Sequence, residues 1–186
     1  MSVVVVGHSS SSFLGGKGWD EAVVKALSGI LGSRIAATTN GLDSLAALRA
    51  SGVRRPFLVL PPWFNDKTVE AGVRYYQDHG LAPADYHRYL PGPKWRDVPP
   101  GNLYPKGLGF EQDVTSLFEQ ITGACPTSAD GVLIAGTGFR CVAILDSLEQ
   151  SLKRPVLSAN QASLWHGLQM AGLRADVAGY GGIFRL

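Results

Sequence analysis

Val3-Val4-Val5-Val6-Gly7-His8-Ser9-Ser10-Ser11-Ser12-Phe13-Leu14-Gly15-Gly16 decides the fold. Four β-branched residues in a row, with no polar alternation, read as a strand buried on both faces of a parallel sheet. The Gly/Ser stretch behind it, Gly7–Gly16, reads as a loop. Trp19, Ala22, Val23, Ala26, Leu27 and Ile30 then recur at helical spacing, one apolar stripe of an amphipathic helix.

The same alternation continues along the chain. Arg34–Thr38 reads as a strand, and Leu42, Leu45 and Ala46 begin a helix stopped near Gly52. Pro56–Leu60 is a strand. Asn65 can cap a helix with Val69, Val73 and Tyr76 on its inner face, ended by Gly80. Ala84–Tyr89 is a further strand, followed by the Pro- and Gly-rich run Pro91–Gly109, a long irregular loop of the kind used for lids or partner contacts. Val114, Leu117, Phe118 and Ile121 mark a helix, Val132–Ala135 a strand, and Gly136-Thr137-Gly138 a tight turn. Phe139, Val142, Leu145, Leu148 and Leu152 read as the next helix, Pro155–Ser158 as a strand, and Ala162, Trp165 and Leu168 as a last helix ended by Gly172. Strand and helix in turn mean an α/β protein with a mainly parallel sheet and right-handed crossovers. The break at Gly52–Pro56 suggests two lobes.

Composition excludes several functions. Apolar residues make up 45% and charged residues 17% of 186, which is globular rather than disordered. The formal charge of +2 carries no basic run interleaved with aromatics, so nucleic acid is not an expected partner. Val3–Val6 is too short for a membrane span or a signal core, so no membrane role is expected and the location is expected to be cytoplasmic. Cys125 and Cys141 form neither a metal spacing nor a disulfide framework, and His8, His79, His87 and His166 show no ligand spacing, so no metal is expected. His79, next to Asp78 at a helix C-terminus, needs no function.

In open parallel sheets ligands bind beyond the carboxyl ends of the strands. Two loops there carry chemistry. Gly7–Gly16 offers hydroxyls and backbone N–H groups at a helix start, a setting that favours an anion; a serine-rich connector without function has the same composition. His8 sits at the strand end itself and is the candidate general acid/base, with Ser9 and Ser10 beside it. Gly136-Thr137-Gly138 opens like a dinucleotide turn, but Cys141 stands where a third glycine or alanine belongs, and the next strand closes on Ser158-Ala159-Asn160 without an acid. The turn therefore reads as a second anion cradle. Asn160 and its neighbours either orient a ligand or cap their own helix. A nucleophile elbow is excluded, because Gly7-His8-Ser9-Ser10-Ser11 lacks the second glycine. The ligand expected of these two loops is a small anion.

The stretches Gly136-Thr137-Gly138-Phe139-Arg140, Arg154-Pro155-Val156-Leu157-Ser158-Ala159-Asn160-Gln161-Ala162-Ser163-Leu164-Trp165-His166 and Ser10-Ser11-Ser12-Phe13-Leu14-Gly15-Gly16 resemble the maleate cis-trans isomerase and arylmalonate decarboxylase branch of the aspartate/glutamate racemase superfamily. The resemblance implies two Rossmann-like lobes related by a pseudo-dyad, with the site between them. On that template residues 1–52 and 159–186 form the first lobe and residues 53–158 the second. The first lobe is then expected to be incomplete at its N-terminus, lacking a strand–helix segment ahead of Val3, and self-association into a homo-oligomer is expected to follow. The resemblance also implies chemistry on small carboxylates without metal or organic cofactor, usually through two cysteines. Here His8 occupies the first cysteine position and Gly136 the second, while Trp63 stands where relatives carry a pocket tyrosine. Cys141 reads as a packed thiol inside the first turns of its helix.

The resulting expectation is a cofactor-independent isomerase- or decarboxylase-like enzyme acting on a small carboxylate in an inter-lobe cleft. His8 is its catalytic residue, and Ser9, Ser10, Trp63, Gly136, Thr137 and Asn160 hold the substrate. The alternative is a catalytically inactive carboxylate-binding or structural relative.

Overall fold

A computed structural model describes residues 2–174 and 177–186. Its strands are β1 (Val3–Val6), β2 (Ala36–Thr39), β3 (Pro56–Leu60), β4 (Asp85–Arg88), β5 (Gly131–Ile134) and β6 (Val156–Ser158). Its helices are α1 (Ser9–Gly15), α2 (Trp19–Leu31), α3 (Asn40–Ala50), α4 (Asp66–Asp78), α5 (Pro100–Leu103), α6 (Leu108–Glu111), α7 (Val114–Ala124), α8 (Leu145–Leu152) and α9 (Ala159–Met170). All pairing is parallel: β1 with β2 in one sheet, and β4-β3-β5-β6 in the other.

The four-stranded sheet is the centre of the core. Side chains alternate across a strand, so Phe57, Val59, Val132, Ile134 and Val156 face Leu117, Ile121, Leu145 and Leu148. Leu58, Leu60, Leu133 and Leu157 face Phe13, Leu45, Leu48, Tyr75 and Tyr76 on the other side. Asn65 caps α4 by accepting the Thr68 N–H at 2.9 Å, and Ser158 and Gln161 form a reciprocal capping box on α9.

Several local expectations need correction. Gly7–Gly16 is a helix for most of its length, because Ser9, Ser12 and Phe13 turn inward together and Phe13 packs among Phe64, Tyr75 and Tyr76. Burial of one phenylalanine outweighs the weak helix preference of serine. The strand expected at Arg34–Thr38 begins later, at Ala36. Val3–Val6 is half-buried along its length, since β1 pairs with β2 alone among the described residues. The apolar stripe of α2 does not face the core: Ile30 is 82% exposed, and the one buried residue of the helix is Asp20. Ser12 and Thr39 donate to Asp20 Oδ1 at 2.7 and 2.5 Å and Tyr75 to Oδ2 at 2.7 Å, which is what makes that burial tolerable. Phe139 does not begin a helix. The chain runs irregularly to a 3-10 turn at Val142–Ile144, and α8 starts only at Leu145. Cys141 therefore precedes that turn and lies buried among Phe139, Leu145 and Leu148. The run Pro91–Gly109 contains a 3-10 turn at Pro93–Trp95 and two short helices, closed over a small cluster of Trp95, Leu103 and Leu108.

No helix among the described residues is long and apolar enough to cross a membrane.

Candidate active site

Three strand ends meet at one place. β1 delivers His8, β3 delivers Trp63 and β5 delivers Gly136, all from carboxyl ends, and the long irregular run contributes Tyr104. Between them lies a cleft of about 310 Å³ lined by His8, Ser9, Ser10, Leu14, Trp63, Phe64, Thr68, Tyr104 and Gly136–Gly138. Six of the seven residues singled out from sequence line it: His8, Ser9, Ser10, Trp63, Gly136 and Thr137. Asn160 does not. It lines an adjoining hollow with Tyr104, Phe110 and Arg140, and its Nδ2 donates to the Thr137 carbonyl at 3.1 Å.

One wall is aromatic. The Trp63 ring lies 4.9 Å from Tyr104 and 5.7 Å from Phe139, centroid to centroid, which fixes the indole from two sides. The other wall is polar. His8 precedes α1, and its Nδ1 sits 2.7 Å from Ser11 Oγ and 3.4 Å from Ser10 Oγ. That fixes the ring and leaves Nε2 without a partner among the described residues.

The two loops are tied to each other by their hydroxyls. Thr137 Oγ1 donates to the Gly7 carbonyl at 2.8 Å. Ser9 Oγ accepts the Gly136 N–H at 3.3 Å and donates to Asn40 Oδ1 at 2.5 Å. Both hydroxyl protons are therefore spent within the protein. The Thr137 and Gly138 N–H groups find no acceptor among the described residues. Gly136 takes φ +96°, and a Cβ there would collide with the Pro61 ring. Successive N–H groups beside a left-handed residue make a concave anion site without a helix terminus. Among the described residues, no acidic side chain lines the cleft.

The thiols stand apart from this geometry. Burial pushes the Cys141 thiol up to about 12, with a Ser158 hydrogen bond acting against it, and burial likewise raises that of Cys125. Neither cysteine lines the cleft.

Sequence reasoning missed Leu14, Phe64, Thr68 and Tyr104 as lining residues, and missed Asn40 and Asp43 behind the cleft. Thr38-Thr39-Asn40 is a polar strand end at the same edge as His8, and that signal would have found Asn40.

Comparison with known proteins agrees with this architecture. A family model of arylmalonate decarboxylase matches residues 109–184, less than half of the chain but including Gly136–Gly138 and Ser158–Gln161. No curated protein sequence matches. A glycine-to-cysteine mutant of arylmalonate decarboxylase, in a sulfate-ion-associated form, superposes with TM-score 0.82 at 25% identity, covering 100% of this chain and 74% of that one. The maleate cis-trans isomerase of Nocardia farcinica, bound to TRIS, gives TM-score 0.83 at 20% identity over 99% of this chain and 71% of its own. The maleate isomerase Iso from Pseudomonas putida S16 gives 0.84 at 19% identity, over 99% and 70%.

Proposed function

We infer that this chain, placed by its fold and its C-terminal sequence in the arylmalonate decarboxylase and maleate isomerase branch of the aspartate/glutamate racemase superfamily, binds a small carboxylate in the His8–Gly136 cleft and delivers a proton to it from His8. The observation that carries the reading is the pairing across one cleft of the His8 imidazole, free at Nε2, with the unengaged N–H groups of Thr137 and Gly138.

In a decarboxylation, the bond from the α-carbon to a carboxylate breaks, carbon dioxide leaves, and the electron pair passes to the α-carbon and onto the remaining carboxylate as an enediolate. Backbone N–H groups are strongest where that charge develops. The Nε2–H of His8 then supplies the proton that forms the new C–H bond, and solvent reprotonates the imidazole. With one proton donor the site suits decarboxylation or tautomerisation rather than two-base racemisation. Trp63 and Tyr104 offer an apolar face to the rest of the substrate.

A related maleate isomerase mutant holds a covalently bound succinylcysteine intermediate. Any chemistry here takes a different course, because the two cleft positions assigned to cysteine by resemblance hold His8 and Gly136. That substitution is also what favours a second reading, a carboxylate-binding protein without turnover. Cytoplasmic location, independence of metal and organic cofactor, and self-association belong to the same family reading; the half-exposed β1 and the exposed Ile30 support the last. The division into a first lobe, 1–52 with 159–186, and a second, 53–158, belongs to the same family reading.

The test is turnover of substituted malonates and of maleate by wild type and by His8→Ala. Loss of about 10²–10⁴-fold is expected in the variant if the imidazole is the general acid. Undiminished turnover in a folded His8→Ala protein would leave His8 as a loop residue only; no turnover in either protein selects the binding reading.

A further inference from the structure

Among the described residues, two carboxylates, Asp20 and Asp43, are wholly buried near the cleft, and they differ in one respect. The hydroxyls around Asp20 end there. One of the donors to Asp43 instead begins a path that reaches the ligand site. Asp43, in the first turn of α3, accepts Thr38 Oγ1 at 2.6 Å and His166 Nδ1 at 2.7 Å on Oδ1, and Ser163 Oγ at 2.6 Å on Oδ2.

Donor and acceptor chemistry fixes every orientation from this end. An ionised carboxylate only accepts, so the Ser163 hydroxyl proton is committed to Asp43. The Ser163 oxygen then offers lone pairs alone, and Asn40 meets it with Nδ2 at 2.9 Å; the same Nδ2 also donates to the Ala159 carbonyl at 2.8 Å. The Asn40 amide therefore cannot be flipped without facing two acceptors with its oxygen. Its Oδ1 is left for Ser9, which donates to it, and the Ser9 oxygen is in turn left to receive the Gly136 N–H. Every bond in the sequence points toward the buried charge.

We propose that Asp43, Ser163 and Asn40 are positioning residues of the cleft, setting the direction of a hydrogen-bond chain that turns the Ser9 proton away from the ligand and holds the Gly136 amide. Ser9 thus acts as the acceptor that seats the β5 turn against the start of α1, not as a donor to substrate. The chain stands on its own geometry; its consequence for ligand affinity rests on the carboxylate reading of the cleft.

Ser163→Ala cuts the chain in its middle while leaving Asp43 two donors, and alanine is favourable within a helix. The experiment compares wild type, Ser9→Ala, Ser163→Ala, Ser163→Thr and the Ser9→Ala/Ser163→Ala double variant. Amide hydrogen exchange is read residue by residue without ligand, and malonate is then titrated calorimetrically. Gly136 is expected to exchange about two- to tenfold faster in Ser9→Ala and in Ser163→Ala, the loss of one modest hydrogen bond. Leu58 and Leu133, in the core strands, are expected to be unchanged, Ser163→Thr to behave as wild type, and the double variant to match Ser9→Ala alone. Wild-type Gly136 exchange in Ser163→Ala, or simple addition of the two single effects, overturns the proposal. The expected exchange pattern together with no malonate binding by wild type keeps the chain and removes the carboxylate reading.

Discussion

The Thr137 hydroxyl donates to the Gly7 carbonyl at 2.8 Å, joining the residue chain beyond β5 to that beyond β1. Those strands belong to different sheets. The bond therefore fixes the spacing of the two loops that wall the cleft, and with Ser9 and Gly136 it makes the polar side of the site a single rigid piece.

Thr137→Val keeps the shape and removes that donor. A loss of about 0.5–1.5 kcal/mol in urea unfolding is expected, the usual worth of one such bond. Affinity for malonate is expected to fall as well, since the Thr137 and Gly138 amides lose their placement. Unchanged stability together with unchanged affinity would show that the bond is dispensable.

Gly136→Cys is expected not to recreate a thiol site. The φ of +96° and the collision with Pro61 both oppose any side chain at this position. A destabilisation of about 1–3 kcal/mol is expected from the backbone conformation, with partial recovery when Pro61→Ala is added. A Gly136→Cys protein that melts like wild type contradicts this packing.

Cys141 is expected to resist iodoacetamide near neutral pH in the native protein and to react on unfolding. Burial raises its thiol from 9.0 to about 12. A pKa raised by folding means that the native state holds its proton where the unfolded chain loses it. Stability is thus fully present below pH 9 and declines as pH climbs from there toward 12, in the direction also given by the raised tyrosines Tyr75 and Tyr76. Thermal melts from pH 8 to 11 check the sign. Any turnover is expected to survive removal of both thiols.

Asp20→Ala is expected to cost about 3 kcal/mol or more, because three buried hydroxyls lose their common acceptor. Tyr75→Phe removes one donor only and is expected to cost about a third as much. Equal losses in the two variants would show that the carboxylate is not the hub.

Continuous apolar runs made most of the fold legible. β3 falls on Pro56–Leu60 as read, because five buried residues with no alternation have few other solutions. The Asn65 cap was legible from local capping chemistry, and the last helix from the spacing of Ala162, Trp165 and Leu168. What was not legible depended on partners far along the chain. Ser9–Gly15 has no periodicity to betray a helix; Phe13 makes it one by finding α4. Nothing in the local sequence marks Asp20 and Asp43 for burial; the hydroxyls of Thr38, Thr39, Tyr75 and Ser163, brought from other elements, allow them inside. The cleft was legible because loops at the carboxyl ends of parallel strands carry ligand sites, and both sheets bring such ends to it. Tyr104, supplied by a run without periodicity, was not.

The most direct measurement is the melting temperature of the wild-type chain against increasing malonate and maleate, with NAD and ATP as controls. A ligand of the native state raises stability by mass action, about 2.7 kcal/mol at a concentration 100 times its Kd. A saturable rise is expected with a dicarboxylate, none with either nucleotide, and a smaller rise in Thr137→Val. No response to any small carboxylate, with a clear shift from NAD, would contradict the carboxylate cleft and return Gly136-Thr137-Gly138 to the dinucleotide reading.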